Sequence, residues 1–404
     1  MVLTAFALST LAILSLVGVS LIFFYLRITE RESPHISASQ RTNEPLLSVI
    51  ITAKNEQDTI GSCITSLQAQ SYRNIEILVV DDNSRDRTKE IATNFQTDSR
   101  VRVISLSEKP SNFLGKSWAC QKGFENSRGE MLLFVDADST FNKEAVEISL
   151  SYLISNSLDM FSISPKVNLK GIWAYSTLPL VSAGINLLYP MKKVNDPKSK
   201  RAYVFGTFIL VRRSVYESIG GHASVRDKLV EDAAIAQLAK SKGFKLKVAL
   251  GESLIQTDWE NDFHSVYHGM ERVFSDSVRP YGLISILDAI LLFFLGLYPL
   301  IFIAFSILHG ISLLQSSFDP LIQYISFIAS LLSVLFAILV SANELYHATG
   351  KKIAYQALLY PLGFVLFVSA IITTVIKVRR SQGFYWKGKK YTPMNPLKED
   401  HKSL

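Results

Sequence analysis

Cysteine is scarce in this chain of 404 residues: Cys63 and Cys120 stand alone. They lack the spacing of a metal site and read as reduced, buried thiols. Charge is thin as well, 19% of residues against 48% hydrophobic ones. The net charge of +7 does not point to nucleic acid, because basic residues are not interleaved with aromatics across the polar part of the chain. Internal repeats and low-complexity tracts are missing. So is a P-loop: Gly115-Lys116-Ser117 resembles its end, but Pro110 stands where that motif needs its first glycine.

What the chain does have is long apolar runs. Val2 to Ile28 carries no charge before Arg27, and about 20 such residues suffice to span a bilayer. A cleaved signal peptide would need a basic start and a shorter apolar run, whereas here Arg27 and Arg31 follow the run. The expectation is an uncleaved anchor over 1–28 with the downstream chain in the cytosol. Three further segments, Leu283–His309, Leu321–Ala342 and Ile353–Ile376, are each long enough to cross, within a membrane region of 283–377. Lys377, Arg379, Arg380, Lys387, Lys389 and Lys390 then place basic charge beside the membrane, at the start of a basic cytosolic tail over 378–404. The protein is therefore expected to be integral to the cell membrane and multi-pass. The topology conflicts with itself, since one anchor and three full crossings put the tail outside. Leu283–His309, with Pro299 near its middle, is the candidate for a re-entrant segment, although that leaves Lys351 and Lys352 outside. Few ionisable residues stand in these runs, which argues against a transporter.

Between the apolar ends lies a different pattern. A polar stretch over 29–45 with two prolines reads as a linker. Leu46–Thr52, Ile75–Val80 and Val101–Leu106 read as strands. A helical pattern follows the first strand, with Ile60, Cys63, Ile64 and Leu67 on one face, and another follows the second strand. Ser84 or Asp86 is placed to cap that second helix. Trp118 to Phe124 is helical in pattern, and Leu132-Leu133-Phe134-Val135 reads as a buried strand ending at Asp136-Ala137-Asp138. Strands alternating with helices predict an α/β domain over 46–260, with a mostly parallel Rossmann-like sheet flanked by helices. Ligands of such sheets bind beyond the carboxyl ends of the strands, where the acidic clusters fall. A strand alternates its faces, so Asp136 and Asp138 point the same way at its end, and two hard oxygen ligands held close together suit a divalent cation shared with phosphates. A solvated turn is the alternative. An interfacial helix is expected over 261–282, with Trp259, Phe263 and Tyr267 toward lipid. His264 and His268 lie one turn apart on it.

Taken in order, Ser48–Glu56, Val79–Thr88, Gly115–Ala119, Asp136-Ala137-Asp138, Gly206-Thr207-Phe208, Gly220-Gly221-His222 and Glu231-Asp232 resemble the family 2 glycosyltransferases of GT-A fold. The anchor, the apolar C-terminal third and Trp386–Tyr391 resemble the membrane-bound branch that includes carotenoid- and hopanoid-associated enzymes. The resemblance implies transfer of a sugar from a nucleotide-sugar donor to a lipid or polyprenyl-type acceptor, with Mg2+ or Mn2+ as cofactor. Asp138 would hold the metal, and Asp136 the metal or ribose. Asp82 would meet the base or ribose, with Ala53 and Glu56 lining the same pocket. Lys116 would be a cation near the nucleotide or else a surface lysine. In the pair Glu231-Asp232, Asp232 is preferred over Glu231 as the base that takes the acceptor proton in an inverting transfer. Both could equally be first-turn acids complementing a helix dipole. Gly206, Thr207 and His222 would lie on the acceptor side, with a structural role the alternative for His222. The Q-x-x-R-W motif of processive polymer synthases is not evident. A polysaccharide synthase and a catalytically silent nucleotide-binding membrane protein stand as the alternatives.

Overall fold

The computed structural model describes residues 2–31, 36, 44–251, 254–259, 262–309, 320–352, 354–380, 382, 384–386 and 389–391. Most of the expected linker and nearly all of the basic tail lie outside the described residues. The chain divides into two compact units. One comprises Glu32–Asn168 and Tyr189–Trp259; the other comprises Met1–Arg31, Leu169–Leu188 and Glu260–Leu404. The expected continuous domain over 46–260 is thus interrupted, because Leu169–Leu188 falls with the terminal segments.

The first unit is built on a seven-stranded sheet. Its strands are β1 (Leu47–Ala53), β2 (Ile75–Asp81), β3 (Val101–Ser105), β4 (Met131–Asp136), β6 (Met160–Ser164), β8 (Ile209–Arg212) and β9 (Leu246–Leu250), in the order β3-β2-β1-β4-β8-β6-β9. A small sheet of β5 (Ser139–Phe141), β10 (Ile255–Asp258) and β7 (Lys166–Asn168) stands beside it. In the seven-stranded sheet the pairs among β1, β2, β3 and β4 are parallel, as is β6 with β9, while β8 runs against its neighbours. The period-2 alternation of strands accounts for two apolar layers. Leu47, Val49 and Ile51 pack on one face with Ile60, Cys63, Ile64 and Leu67, the helix face read from the sequence. Ile50, Leu78, Val80, Leu132 and Phe134 pack on the other face with Ala119, Val215 and Ile235.

At the amino edge of the sheet a buried carboxylate ties three strands together. Ser48 on β1 donates its hydroxyl to Glu76 on β2 at 2.6 Å, and Gly129, just before β4, donates its N–H to that hydroxyl at 2.7 Å. Arg102 on β3 and the Arg128 N–H complete the acceptor sites of Glu76 at 3.1 and 2.6 Å. Burial raises its pKa, and these hydrogen bonds and cations more than reverse the effect, so that it is lowered overall.

The second unit is helical. Ser9–Thr29, Gly171–Leu188, Leu321–Thr349 and Ala354–Arg379 are long and apolar enough to cross a membrane. Among the described residues, the most exposed large apolar side chains, such as Leu21, Leu188, Ile307 and Leu321, all lie in this unit. A water-soluble surface would not present them so densely. The structure differs from the sequence reading at two places. Gly171–Leu188 was not expected as a span. The expected crossing Leu283–His309 is broken at Leu297, between a helix of 34 residues, Phe263–Gly296, and one of 12, Tyr298–His309. Pro299 explains the break, since it has no N–H to give and its ring disfavours a continuing helix, while it suits a first turn. The interfacial segment and the start of that crossing are therefore one helix. Its Tyr267 hydroxyl meets Thr373 at 3.0 Å rather than lipid alone. The His268 ring stands 4.2 Å from that of His264, and its Nδ1 lies 2.6 Å from buried Glu271, which also accepts from Lys377 at 2.6 and 2.8 Å.

Replacing Glu76 by alanine removes the shared acceptor of Ser48, Arg102 and Arg128 from a buried site. The expected cost is about 2–4 kcal/mol, read as a lowered thermal unfolding midpoint of the detergent-solubilised protein. Glu76→Gln, which keeps one carbonyl acceptor, should lose about half as much.

Candidate active site

The site grows from the carboxyl ends of β1, β2 and β4. Register does the placing: Ala53 on β1 lies opposite Asp81 on β2, and Thr52 opposite Asp136 on β4. Beyond those pairs the chain turns, with Asn55 at φ 55° and Asn83 at φ 54°, left-handed positions that asparagine tolerates. The two turns are laced together. The Asn55 N–H donates to the Ser84 hydroxyl at 2.9 Å, the Glu56 N–H to the Thr88 hydroxyl at 2.7 Å, and the Arg85 N–H to the Asn55 side chain at 2.9 Å. Asp86 accepts from the Thr88 N–H at 3.0 Å, at the start of the helix Thr88–Asn94. Of the two capping residues named from the sequence, Asp86 therefore serves the helix and Ser84 serves the neighbouring turn.

Asp82 is 6% exposed, and its carboxylate accepts from Lys54 at 2.8 Å. Ala53, 2% exposed, closes the floor beside it. Glu56 accepts from the Thr59 hydroxyl at 3.1 Å.

β4 ends at Asp136, and Ala137-Asp138 form a turn into β5. The two aspartates are therefore not aligned by strand alternation, as the sequence pattern suggested; separate elements hold them. Asp136 accepts from Lys116 at 2.8 Å, on the helix Gly115–Glu125. Asp138 accepts from Thr257 on β10 at 3.1 Å, because Thr257 pairs with Ser139 in the small sheet. Cys63 lies behind both, its Sγ 3.7 Å from the Asp136 carbonyl. Burial, then the charges of Asp138, Asp136 and Glu56, push its thiol well above the usual range, so it stays protonated.

Lys116 also meets Glu231 at 2.9 Å. Burial alone would lower its pKa, but Asp136, Glu231 and Asp232 outweigh that and hold it well above an ordinary lysine. The surface-lysine alternative is thus replaced by a cation between carboxylates. Glu231 and Asp232 open the helix Glu231–Ser241, so the dipole reading holds as well. Glu231 is 6% exposed, while Asp232 is more open and accepts from the Ala233 N–H at 2.7 Å. Gly206 packs against this group: a Cβ there would stand 2.8 Å from Asp232 Oδ2 and 3.2 Å from Lys116 Nζ. The neighbouring Thr207 hydroxyl is buried and has no protein partner among the described residues.

His222 lies elsewhere. It is 1% exposed, with Nδ1 2.7 Å from the Tyr216 hydroxyl and its ring against Phe134, and Tyr216 also accepts its backbone N–H. This is the geometry of the structural alternative. Burial pushes its pKa down to about 4, opposed by Glu231 and assisted by Lys116.

Lys54 and Thr257 were given no role from the sequence, and no local signal marks them, since each meets an aspartate far along the chain through strand register. Among the described residues no three His, Cys, Asp or Glu side chains converge as a complete metal cage. A Mg2+-type ion shared with phosphates needs only one or two carboxylates, and Asp138, oriented by the Thr257 hydroxyl, supplies a hard oxygen donor of that kind beside Asp136. The residues present fit such an ion.

A mostly parallel sheet with its acidic turn and carboxylate-headed helix at the carboxyl edge is the GT-A-like glycosyltransferase architecture. A mannosyltransferase from Pyrobaculum calidifontis, PcManGT, solved in complex with GDP-Man and Mn2+, shares the fold with a TM-score of 0.52. It is 15% identical and the match covers 92% of this chain and 99% of that one. Residues 48–220 match the model of the family described as Glycosyl transferase family 2. The 4,4'-diaponeurosporenoate glycosyltransferase of Staphylococcus aureus is 24% identical over 361 residues, covering 87% of this chain and 89% of the relative. Over residues 48–220 the chain is thus similar to family 2 glycosyltransferases, and it is a glycosyltransferase.

Two outcomes follow from this geometry. Gly206→Ala forces the ends of Asp232 and Lys116 aside while leaving the fold intact; transfer should fall about a hundredfold with the melting temperature nearly unchanged. His222 folds neutral, whereas the unfolded chain binds a proton below about 6.5. Its contribution is present above that pH and is lost as pH falls toward about 4. The stability margin of the native protein over His222→Gln should therefore shrink between pH 7 and pH 4.5 in parallel thermal melts.

Proposed function

We propose that this protein is a multi-pass membrane glycosyltransferase that moves one sugar, with inversion, from a nucleotide-sugar donor to a lipid acceptor. Its catalytic unit would face the cytosol. The observation that carries the reading is Lys116, one cation touching both the donor-side Asp136 and the acceptor-side Glu231, with Asp232 beside it. The membrane-spanning length of four helices supports a membrane-held acceptor, and the relative named for diaponeurosporenoate supports a carotenoid-like one.

In this reading Asp82, Ala53 and Glu56 receive the base and ribose. Lys54 neutralises and orients Asp82. Asp138, with Asp136, would hold Mg2+ or Mn2+, which stabilises negative charge on the departing diphosphate. Asp232, more open than Glu231, takes the proton of the acceptor hydroxyl as its oxygen bonds to the anomeric carbon and the bond to the diphosphate breaks. Glu231 pairs with Lys116 and fixes the helix start from which Asp232 projects. Thr207 offers its unpartnered hydroxyl to the substrate, and a buried hydroxyl without a partner needs one.

The test is transfer by the purified, detergent-solubilised protein, offered a panel of labelled nucleotide sugars with total membrane lipid. Labelling of a lipid should be abolished by EDTA. Asp138→Ala and Asp232→Asn should each lower kcat by about 10²–10⁴. A water-soluble polymeric product would replace this reading with a polysaccharide synthase. No reaction and no donor binding across the panel would leave a silent nucleotide-binding protein.

A further inference from the structure

Directly after the candidate span Gly171–Leu188 the chain carries Lys192, Lys193, Lys198, Lys200 and Arg201, against one acid, Asp196. All five cations are exposed. The segment is nonetheless firmly built. Met191 and Val194 at one end and Ala202 and Val204 at the other are buried in the apolar layer beneath the sheet. The Asn195 side chain exchanges two hydrogen bonds with the Val248 backbone on β9, at 2.9 and 2.7 Å. The Lys240 ammonium reaches the carbonyls of Lys193 at 3.3 Å and Arg201 at 2.8 Å, and that of Val194 as well, so it joins the two ends. The Asp196 carboxylate accepts from the Lys198 N–H at 2.9 Å, and its carbonyl accepts from the Ser199 N–H at 3.1 Å. A folded loop thus spends its one acid and its backbone on itself and leaves Lys193, Lys198, Lys200 and Arg201 to solvent.

We propose that this loop is a docking surface for the anionic headgroups of the bilayer. Covalent reach favours the bilayer over a soluble partner. Lys192 stands four residues beyond Leu188, and four residues extend at most about 14 Å. Basic clusters next to a span are drawn to anionic lipid within about one Debye length, roughly 8–10 Å at ordinary ionic strength. Ordering of the loop by Lys240 and Asn195 removes the entropy that a flexible basic tail would lose on binding. The inference rests on the membrane reading above, but its readout does not involve sugar transfer.

The full chain, carrying Ser199→Cys with a thiol-linked fluorophore, is reconstituted in nanodiscs of phosphatidylcholine, with or without phosphatidylglycerol. Both contain the same fraction of a lipid bearing a nitroxide on its headgroup. The native Cys63 and Cys120 are buried and do not compete for the label. Quenching should at least double in the anionic discs, return to the neutral level in about 0.5 M salt, and lose its dependence on phosphatidylglycerol when the five cations become glutamine. Equal quenching in both discs, or an anionic effect that survives the five substitutions, overturns the proposal. A fluorescence change on adding RNA to neutral discs, without one from anionic lipid, overturns it in favour of nucleic acid. Failure of the protein to enter discs at all, seen by size exclusion, would instead count against the membrane reading.

Discussion

The ammonium of Lys116 is the contact on which the catalytic arrangement depends. Three carboxylates, from Asp136, Glu231 and Asp232, approach one place from two parts of the chain, and like charges that close would drive each other apart or take up protons. A cation between them offsets that repulsion. Its position is locally unfavourable, because Lys116 sits in the first turn of the helix Gly115–Glu125, where the dipole prefers negative charge. The carboxylates repay that cost, and they do so only in the folded arrangement. Gly206 is part of the same solution, since any side chain there would occupy the space of the Asp232 carboxylate.

Register carries information that no local motif holds. Lys54 sits beside Asp82 because Ala53 pairs with Asp81, and Thr257 reaches Asp138 because it pairs with Ser139. The strands themselves, the apolar face Ile60–Cys63–Ile64–Leu67 and the acidic ends of β2 and β4 were legible, as each is a short-range pattern in composition and period. The turn at Ala137-Asp138 was not, because Asp-x-Asp at a strand end has the same spelling whether the strand continues or stops. A structural role for His222 was legible as an alternative, but not the partners that bury it, Tyr216 and Phe134, which meet it across the core. The ordered set of motifs still led to the right fold, because the motifs mark strand ends and the sheet gathers those ends on one edge.

The candidate span Gly171–Leu188 was missed for a different reason. Ser176, Thr177, Pro179, Ser182 and Asn186 dilute its apolar character, so composition alone ranks it below the runs at either end of the chain. Its polar side chains have tertiary uses. Ser182 and Asn186 donate to the buried carboxylate of Glu344 on the helix Pro320–Thr349. A carboxylate among apolar helices is tolerated only with such donors, so the polar residues that hide the span in the sequence are those that join it to its neighbours.

That excursion changes how the catalytic unit is attached. With only an N-terminal anchor and a C-terminal membrane region, the chain would pass between the units twice. With Leu169–Leu188 in the helical unit it passes four times, near residues 31, 168, 188 and 259. Each added covalent passage lowers the orientational freedom of the catalytic unit without any new noncovalent contact. Restraint of that kind raises the effective concentration of one unit's ligands at the other. On the reading proposed above, with a soluble donor and a lipid acceptor, the entropy removed by the tethers is entropy that the bimolecular step would no longer have to lose.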